Sequence, residues 1–188
     1  MKNHLNRFLI VKFGSLGDIV HCLPSVAQLR AAFPSAEIDW LIERKNKIAV
    51  EMSGLDVRLI PIDTYQWRNS PGIGSAKEIG EFVWALRTDG YDCAIDFQGL
   101  LKSAFFAYLS GAPVRIGWER DFLRESVSRI FYTEVVKPKR VHIIDHSQSA
   151  GLFEQGHMRA EIIGIRSNGD RATKSGRLGG ILSSARWD

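Results

Sequence analysis

The feature that most constrains this chain lies near its start. The apolar, β-branched run 8–13 (FLIVKF) ends in Gly14-Ser15-Leu16-Gly17-Asp18, and residues 19–33 then repeat apolar side chains at helical spacing. A strand that turns through glycines straight into an amphipathic helix buries that helix on a sheet, and the sheet needs further strands. Residues 37–42 (EIDWLI), 57–62 (VRLIPI), 93–97 (CAIDF), 114–118 (VRIGW) and 133–136 supply them. Pro61 places the third at a sheet margin, because proline cannot donate to an inner ladder. Helical patterns lie between them: 75–88, where Ile79, Phe82, Val83 and Leu86 share a face, then 100–109 and 122–131. Strands alternating with helices predict a Rossmann-like α/β fold, a parallel sheet with helices on both faces. Ligands of such sheets bind beyond the strands' carboxyl ends, here in the loops beginning at Phe13, Glu43, Asp63, Phe97 and Trp118.

Composition narrows the function classes. With 188 residues, 45% hydrophobic and 24% charged, the chain has material for one sizeable core. No apolar run approaches the roughly 20 residues of a spanning helix, and the N-terminal stretch lacks the length and cleavage site of a secretory signal. A cytoplasmic protein is expected. Cys22 and Cys93 stand far apart without ligand spacing, which fits buried thiols rather than a disulfide framework or a zinc site. The net charge of +4 permits an anionic partner. No Cys/His finger, aromatic RNA-binding motif or long basic run is present, so no nucleic acid is expected. Past residue 148 seven glycines fall between Gly151 and Gly180 without apolar periodicity, so the organisation reads as a domain over 1–148 and an irregular, poorly ordered Gly/Arg/Ser-rich stretch over 149–188.

The 12–18 loop can carry chemistry. Glycines at a strand-to-helix turn let backbone N–H groups approach a ligand, and the helix N-terminus favours negative charge. The loop is not a Walker sequence, a GxGxxG fingerprint or a GxSxG elbow. Asp18 has two readings, a helix cap or a base that takes a proton from a substrate hydroxyl. Asparagine there is expected to keep the cap within about 1 kcal/mol while removing the proton acceptor. His21, one turn on, is either a proton-transfer group or structural. The second loop, Asp96 to Ser103, repeats the arrangement: Gln98 and Lys102 would point near the same cleft, with Asp96 as brace or cap and Lys102 otherwise a solvated charge. Arg44, Lys45, Lys47, Arg68, Arg115, Arg120 and Arg124 cluster near loop ends, either as a rim for an acidic ligand or as solvated surface charge.

Beside this reading stands a resemblance. KFGSLGDIVHCLPSV (12–26), IDWLIE, the Tyr65-Gln66-Trp67-Arg68 segment, YDCAIDFQGLLKSA (91–104) and the Gly117 to Tyr132 series occur in the order found in the bacterial lipopolysaccharide heptosyltransferases, glycosyltransferase family 9, and together cover residues 7 to 146. The resemblance implies one half of a two-domain GT-B architecture: an N-terminal acceptor-binding domain, with the second, nucleotide-sugar domain expected to be missing from this chain. It implies inverting transfer of heptose from ADP-L-glycero-D-manno-heptose to Kdo of the inner core, with doubtful activity for this half alone. On the matching positions Asp18 would be the general base. Gly14, Ser15 and Gly17 would shape the loop, Gln98 and Lys102 would lie near the reacting centre, and Arg68 and Arg124 would contact the acidic acceptor, a Kdo-lipid A. Neither metal nor cofactor is implied, and contact with the inner membrane surface would be peripheral. The competing class is a non-catalytic Rossmann-like module for an anionic or nucleotide ligand.

Overall fold

A computed structural model of the chain describes residues 5–69 and 72–136. Six strands, β1 (Arg7–Val11), β2 (Glu37–Glu43), β3 (Arg58–Ile62), β4 (Cys93–Asp96), β5 (Val114–Trp118) and β6 (Glu134–Val136), form one sheet in the order β3-β2-β1-β4-β5-β6. Every neighbouring pair is parallel. The helices are α1 (Leu16–Ala32), α2 (Lys47–Glu51), α3 (Thr64–Asn69), α4 (Ile73–Thr88) and α5 (Leu101–Leu109).

Period-two alternation divides the core. Phe8, Ile10, Trp40, Ile42, Cys93 and Ile95 face one way and pack with Ile19, Cys22, Val26 and Leu29 of α1 and Val50 of α2. Leu9, Val11, Leu41, Ile62 and Ala94 face the other way and pack with Leu86 of α4 and Phe106 and Ala107 of α5. Because both faces are covered, residues 8–11 of β1 are an unbroken apolar run rather than an alternating one. Removing side chains such as Trp40 and Ile95 from water stabilises the fold by about 1.5–3 kcal/mol each. Pro61 lies in β3, an edge strand, as its missing N–H requires.

Three expectations shift. Helix α1 begins at Leu16 rather than at residue 19, because Ser15 takes the extended N-cap conformation and its N–H donates to the Asp18 carboxylate at 3.0 Å, which draws Leu16, Gly17 and Asp18 into the first turn. The 122–131 helix is replaced by two 3₁₀ turns, Arg120–Phe122 and Ser126–Phe131; Ser128 donates its hydroxyl to the Glu125 carbonyl at 2.6 Å, closing a tight turn. The short helices α2 and α3 went unpredicted because five or six residues are too few to display a period. The boundary at 148 and the 149–188 stretch lie outside the described residues.

Candidate active site

The strand order reverses between β1 and β4, and a cleft of about 610 Å³ opens beside this point at the carboxyl ends of β1 to β4. Phe13 to Leu16 contribute one wall, Glu43 to Asn46 and Asp63 to Tyr65 with Arg68 another, and Gln98, Leu100 and Lys102 the third. Four of the five loops expected to carry a ligand therefore meet here; the loop after Trp118 does not line the cleft.

Backbone positions are set from several sides. The Phe13 N–H donates to Gln98 Oε1 at 3.3 Å, and the Phe13 carbonyl accepts the buried Asn46 Nδ2 at 2.9 Å. Gly14 threads past that amide so closely that a Cβ would stand 2.5 Å from Asn46 Nδ2. Across the cleft, Gly99 takes φ +68 beneath Trp118, a conformation and a spacing that suit only glycine. Below it Asp96, fully buried, accepts the N–H groups of Gln98 (2.7 Å) and Gly99 (3.2 Å) and the hydroxyls of Ser103 and Tyr132 (both 2.7 Å). Burial pushes the Asp96 carboxyl above its ordinary range, against these four bonds that favour the anion. Asp96 is thus a loop brace, one of its two sequence readings.

Polar chemistry concentrates at two points. Lys102 donates to Thr64 Oγ1 at 2.9 Å, stands 3.7 Å from Glu43 Oε1 and lies 4.8 Å above the Phe13 ring. Thr64 in turn donates its hydroxyl to Glu43. Asp18 sits behind the Gly14–Leu16 loop, one quarter exposed, with Oδ2 accepting from Ser15 N–H and 3.6 Å from the ammonium of Lys12. Among the described residues, Arg44, Lys45 and Arg68 have no carboxylate within ion-pair distance, and the Arg68 guanidinium lies 5.8 Å over the Tyr65 ring.

Of the site residues read from sequence, Gly14, Ser15, Arg68, Gln98 and Lys102 line the cleft. Gly17 and Asp18 lie in the adjoining first turn of α1, and Arg124 is exposed away from the lining. His21 is exposed on α1 and off the cleft. Lys47 pairs with Glu51 at 3.0 Å, and Arg115 turns inward to the carbonyls of Phe131 and Ala112 at 2.7 Å, so neither belongs to a cationic rim. Lys12 entered the sequence reading only as the first residue of the 12–18 loop and Glu43 only as a loop start, and nothing in the sequence pointed to Asn46 or Thr64. Among the described residues no group of His, Cys, Asp and Glu could hold a metal ion, and no helix is long and apolar enough to cross a membrane.

The pattern of glycosyltransferase family 9 (heptosyltransferase) matches residues 79–155. Lipopolysaccharide heptosyltransferase 1 of Pseudomonas aeruginosa is 34% identical over 129 residues, 67% of this chain and 36% of that protein. The chain belongs to glycosyltransferase family 9. Lipopolysaccharide heptosyltransferase 1 of Escherichia coli K12 is 29% identical over 160 residues, 84% of this chain and 50% of that protein. The family 9 chain thus spans half or less of the length of these relatives. Its structure superposes on E. coli heptosyltransferase WaaC with ADP-2-deoxy-2-fluoro heptose at a TM-score of 0.63 and 28% identity, covering 87% of this chain and 48% of that one. A family 9 glycosyl transferase from Veillonella parvula shares the fold at a TM-score of 0.61 and 22% identity, over 82% of this chain and 42% of that one.

Proposed function

We propose that this chain provides the acceptor side of an inverting heptosyl transfer, from ADP-L-glycero-D-manno-heptose to the Kdo of a lipopolysaccharide inner core. One observation carries the reading. Asp18 stands in the first turn of the helix that follows the central strand, beside a cleft where, among the described residues, Arg44, Lys45 and Arg68 have no carboxylate within ion-pair distance and only one of the Asp18 carboxylate oxygens is engaged. In the reaction the acceptor hydroxyl attacks the anomeric carbon opposite the phosphate, the bond from that carbon to the phosphate oxygen breaks, and ADP leaves with the bonding pair. Asp18 takes the hydroxyl proton as general base. Arg68, Arg44 and Lys45 hold the acidic groups of the acceptor, where planar guanidinium forks suit carboxylate and phosphate. Gly14, Ser15 and Gly17 allow close approach of the reacting sugar. Gln98 and Lys102 form the opposite wall, and Arg124 is assigned to the more distant part of the acceptor. The acceptor is a lipid, so the work is assigned to the cytoplasmic face of the inner membrane, with peripheral contact.

The proposal is tested by titrating a Kdo-lipid A acceptor into the chain and then adding ADP-heptose together with a separately produced donor-binding half of a family 9 enzyme, with mass spectrometry of the acceptor as readout. Saturable binding followed by gain of one heptose is expected. Binding without transfer favours the non-catalytic module, in which Asp18 only caps α1. No binding overturns both.

A further inference from the structure

We propose that Lys12 is a positioning residue for Asp18, an inference that rests on the reading of Asp18 as the base. Lys12 follows β1 directly and is 4% exposed. An ammonium at that depth is costly unless it is paired, and an apolar side chain of similar size would stabilise such a site at least as well. The charge is therefore best explained by what it holds. Lys12 Nζ donates to the Phe97 carbonyl at 3.4 Å, beyond the end of β4, and lies 3.6 Å from Asp18 Oδ2. Its own carbonyl accepts Trp40 Nε1 at 3.1 Å, which ties the root of the side chain to β2. The ammonium is thus fixed from both sides of the point where the strand order reverses.

One oxygen of Asp18 accepts the Ser15 N–H and is ion-paired with the Lys12 ammonium. Among the described residues Oδ1 has no donor. The two oxygens of a carboxylate are equivalent, so whichever one meets Lys12 and Ser15, the other is left to accept a proton. Lys12 touches no substrate in this scheme. It sets the orientation of the group that does, and Phe97, on the loop braced by Asp96, holds Lys12 in place.

The test uses the full 188-residue chain and Lys12→Met, with Lys12→Gln as a second variant should methionine not be tolerated. The Ser15 amide resonance in proton–nitrogen spectra reports its bond to Asp18; it is expected to move to higher field when Lys12 is neutralised, while the amides of β2 stay in place. Denaturation midpoints of Lys12→Met, Asp18→Asn and the double variant should show the double variant losing less than the sum of the singles. In the transfer assay, kcat should fall on the order of 100-fold with the acceptor KM within about threefold of wild type. An unmoved Ser15 resonance, or additive midpoints, overturns the proposal. Absence of transfer by the wild-type chain when the donor-binding half is supplied overturns the transferase reading alone, because the resonance and the midpoints still decide what Lys12 does.

Discussion

The two ends of the sheet treat charge in opposite ways. At the amino ends of the strands, Asp39 is 2% exposed and accepts Arg58 through both carboxylate oxygens, at 2.9 and 2.6 Å, and the Tyr91 hydroxyl at 2.6 Å; Arg7 stands 3.7 Å away. Asp89 closes the set by binding both arginines, and Arg7 also reaches Glu37 at 3.2 Å. Each charge there is answered by another. At the carboxyl ends Lys102 is answered by Glu43, but Arg44, Lys45 and Arg68 face the cleft with no carboxylate in reach among the described residues. A closed network needs no ligand, whereas unpaired cations around a concave surface attract an anionic one. The amino end is therefore assigned to stability and the carboxyl end to binding.

The sharpest break of this contrast is expected at Asp18. Asp18→Asn removes a proton acceptor, and turnover should fall by about 10²- to 10⁴-fold. Stability should also fall, and by more than the loss of a cap alone. The buried Lys12 ammonium loses its anion; a fully buried pair broken on one side costs about 3–5 kcal/mol, and the one-quarter exposure of Asp18 scales this to about 2–4 kcal/mol. Turnover within about threefold of wild type would make Asp18 a cap and nothing else.

The mirror experiment is Asp39→Ala. It opens the closed end and leaves Asp89 as the remaining anion for Arg7, Arg58 and the Tyr91 hydroxyl, at a cost of about 2–3 kcal/mol by urea denaturation. Acceptor affinity of the folded fraction should not change. A loss of affinity matching that of cleft variants would mean that the two ends are not independent.

How much of this was legible depended on the length and repetition of each signal. The parallel sheet, its edge strand at Pro61 and the apolar face of α4 are carried by runs of five to sixteen residues, long enough to display a period. The contributions of Asn46 and Thr64 come from segments too short for one, and their partners, Phe13 and Glu43, are 33 and 21 residues away in sequence. Glycines were legible as flexible points, but that Gly14 is required by Asn46 emerges only from packing. Arg115 shows the converse: a loop-end arginine looks like a rim cation until its guanidinium is seen bound to two carbonyls.

Asp96 lies between the two regimes, since it is buried like the closed end but braces the cleft. Its folded-state pKa is raised above 3.8, so the folded chain holds the proton more tightly than the unfolded one. The associated stability is fully present below pH 3.8 and is lost as pH rises through the folded-state value. A single group of this kind tilts stability by at most about 1.4 kcal/mol per pH unit. Asp96→Asn should remove that tilt in urea denaturation series run from pH 4 upward. A slope unchanged by the substitution would place the titration elsewhere.

The smallest effect should come from Arg68, and it separates binding charge from ordinary surface charge. Arg68 is exposed and stacks over Tyr65, which is itself exposed, so Arg68→Gln should change stability by no more than about 0.5 kcal/mol. If its charge faces an anionic acceptor across the open cleft, affinity should fall about three- to tenfold at low salt, the weight of one partly solvated charge pair. Screening then supplies the check, because the Debye length contracts from about 30 Å at 0.01 M to about 8 Å at 0.15 M salt. The gap between wild type and Arg68→Gln should narrow as salt is added, in titration calorimetry at the two concentrations. Lys47→Gln is the control: that lysine is also exposed, but it is paired to Glu51 and off the cleft, so its removal should leave affinity unaltered. Equal losses from the two variants would mean that net charge alone draws the acceptor, and the contrast between a closed end and an open one would carry no information about where it binds.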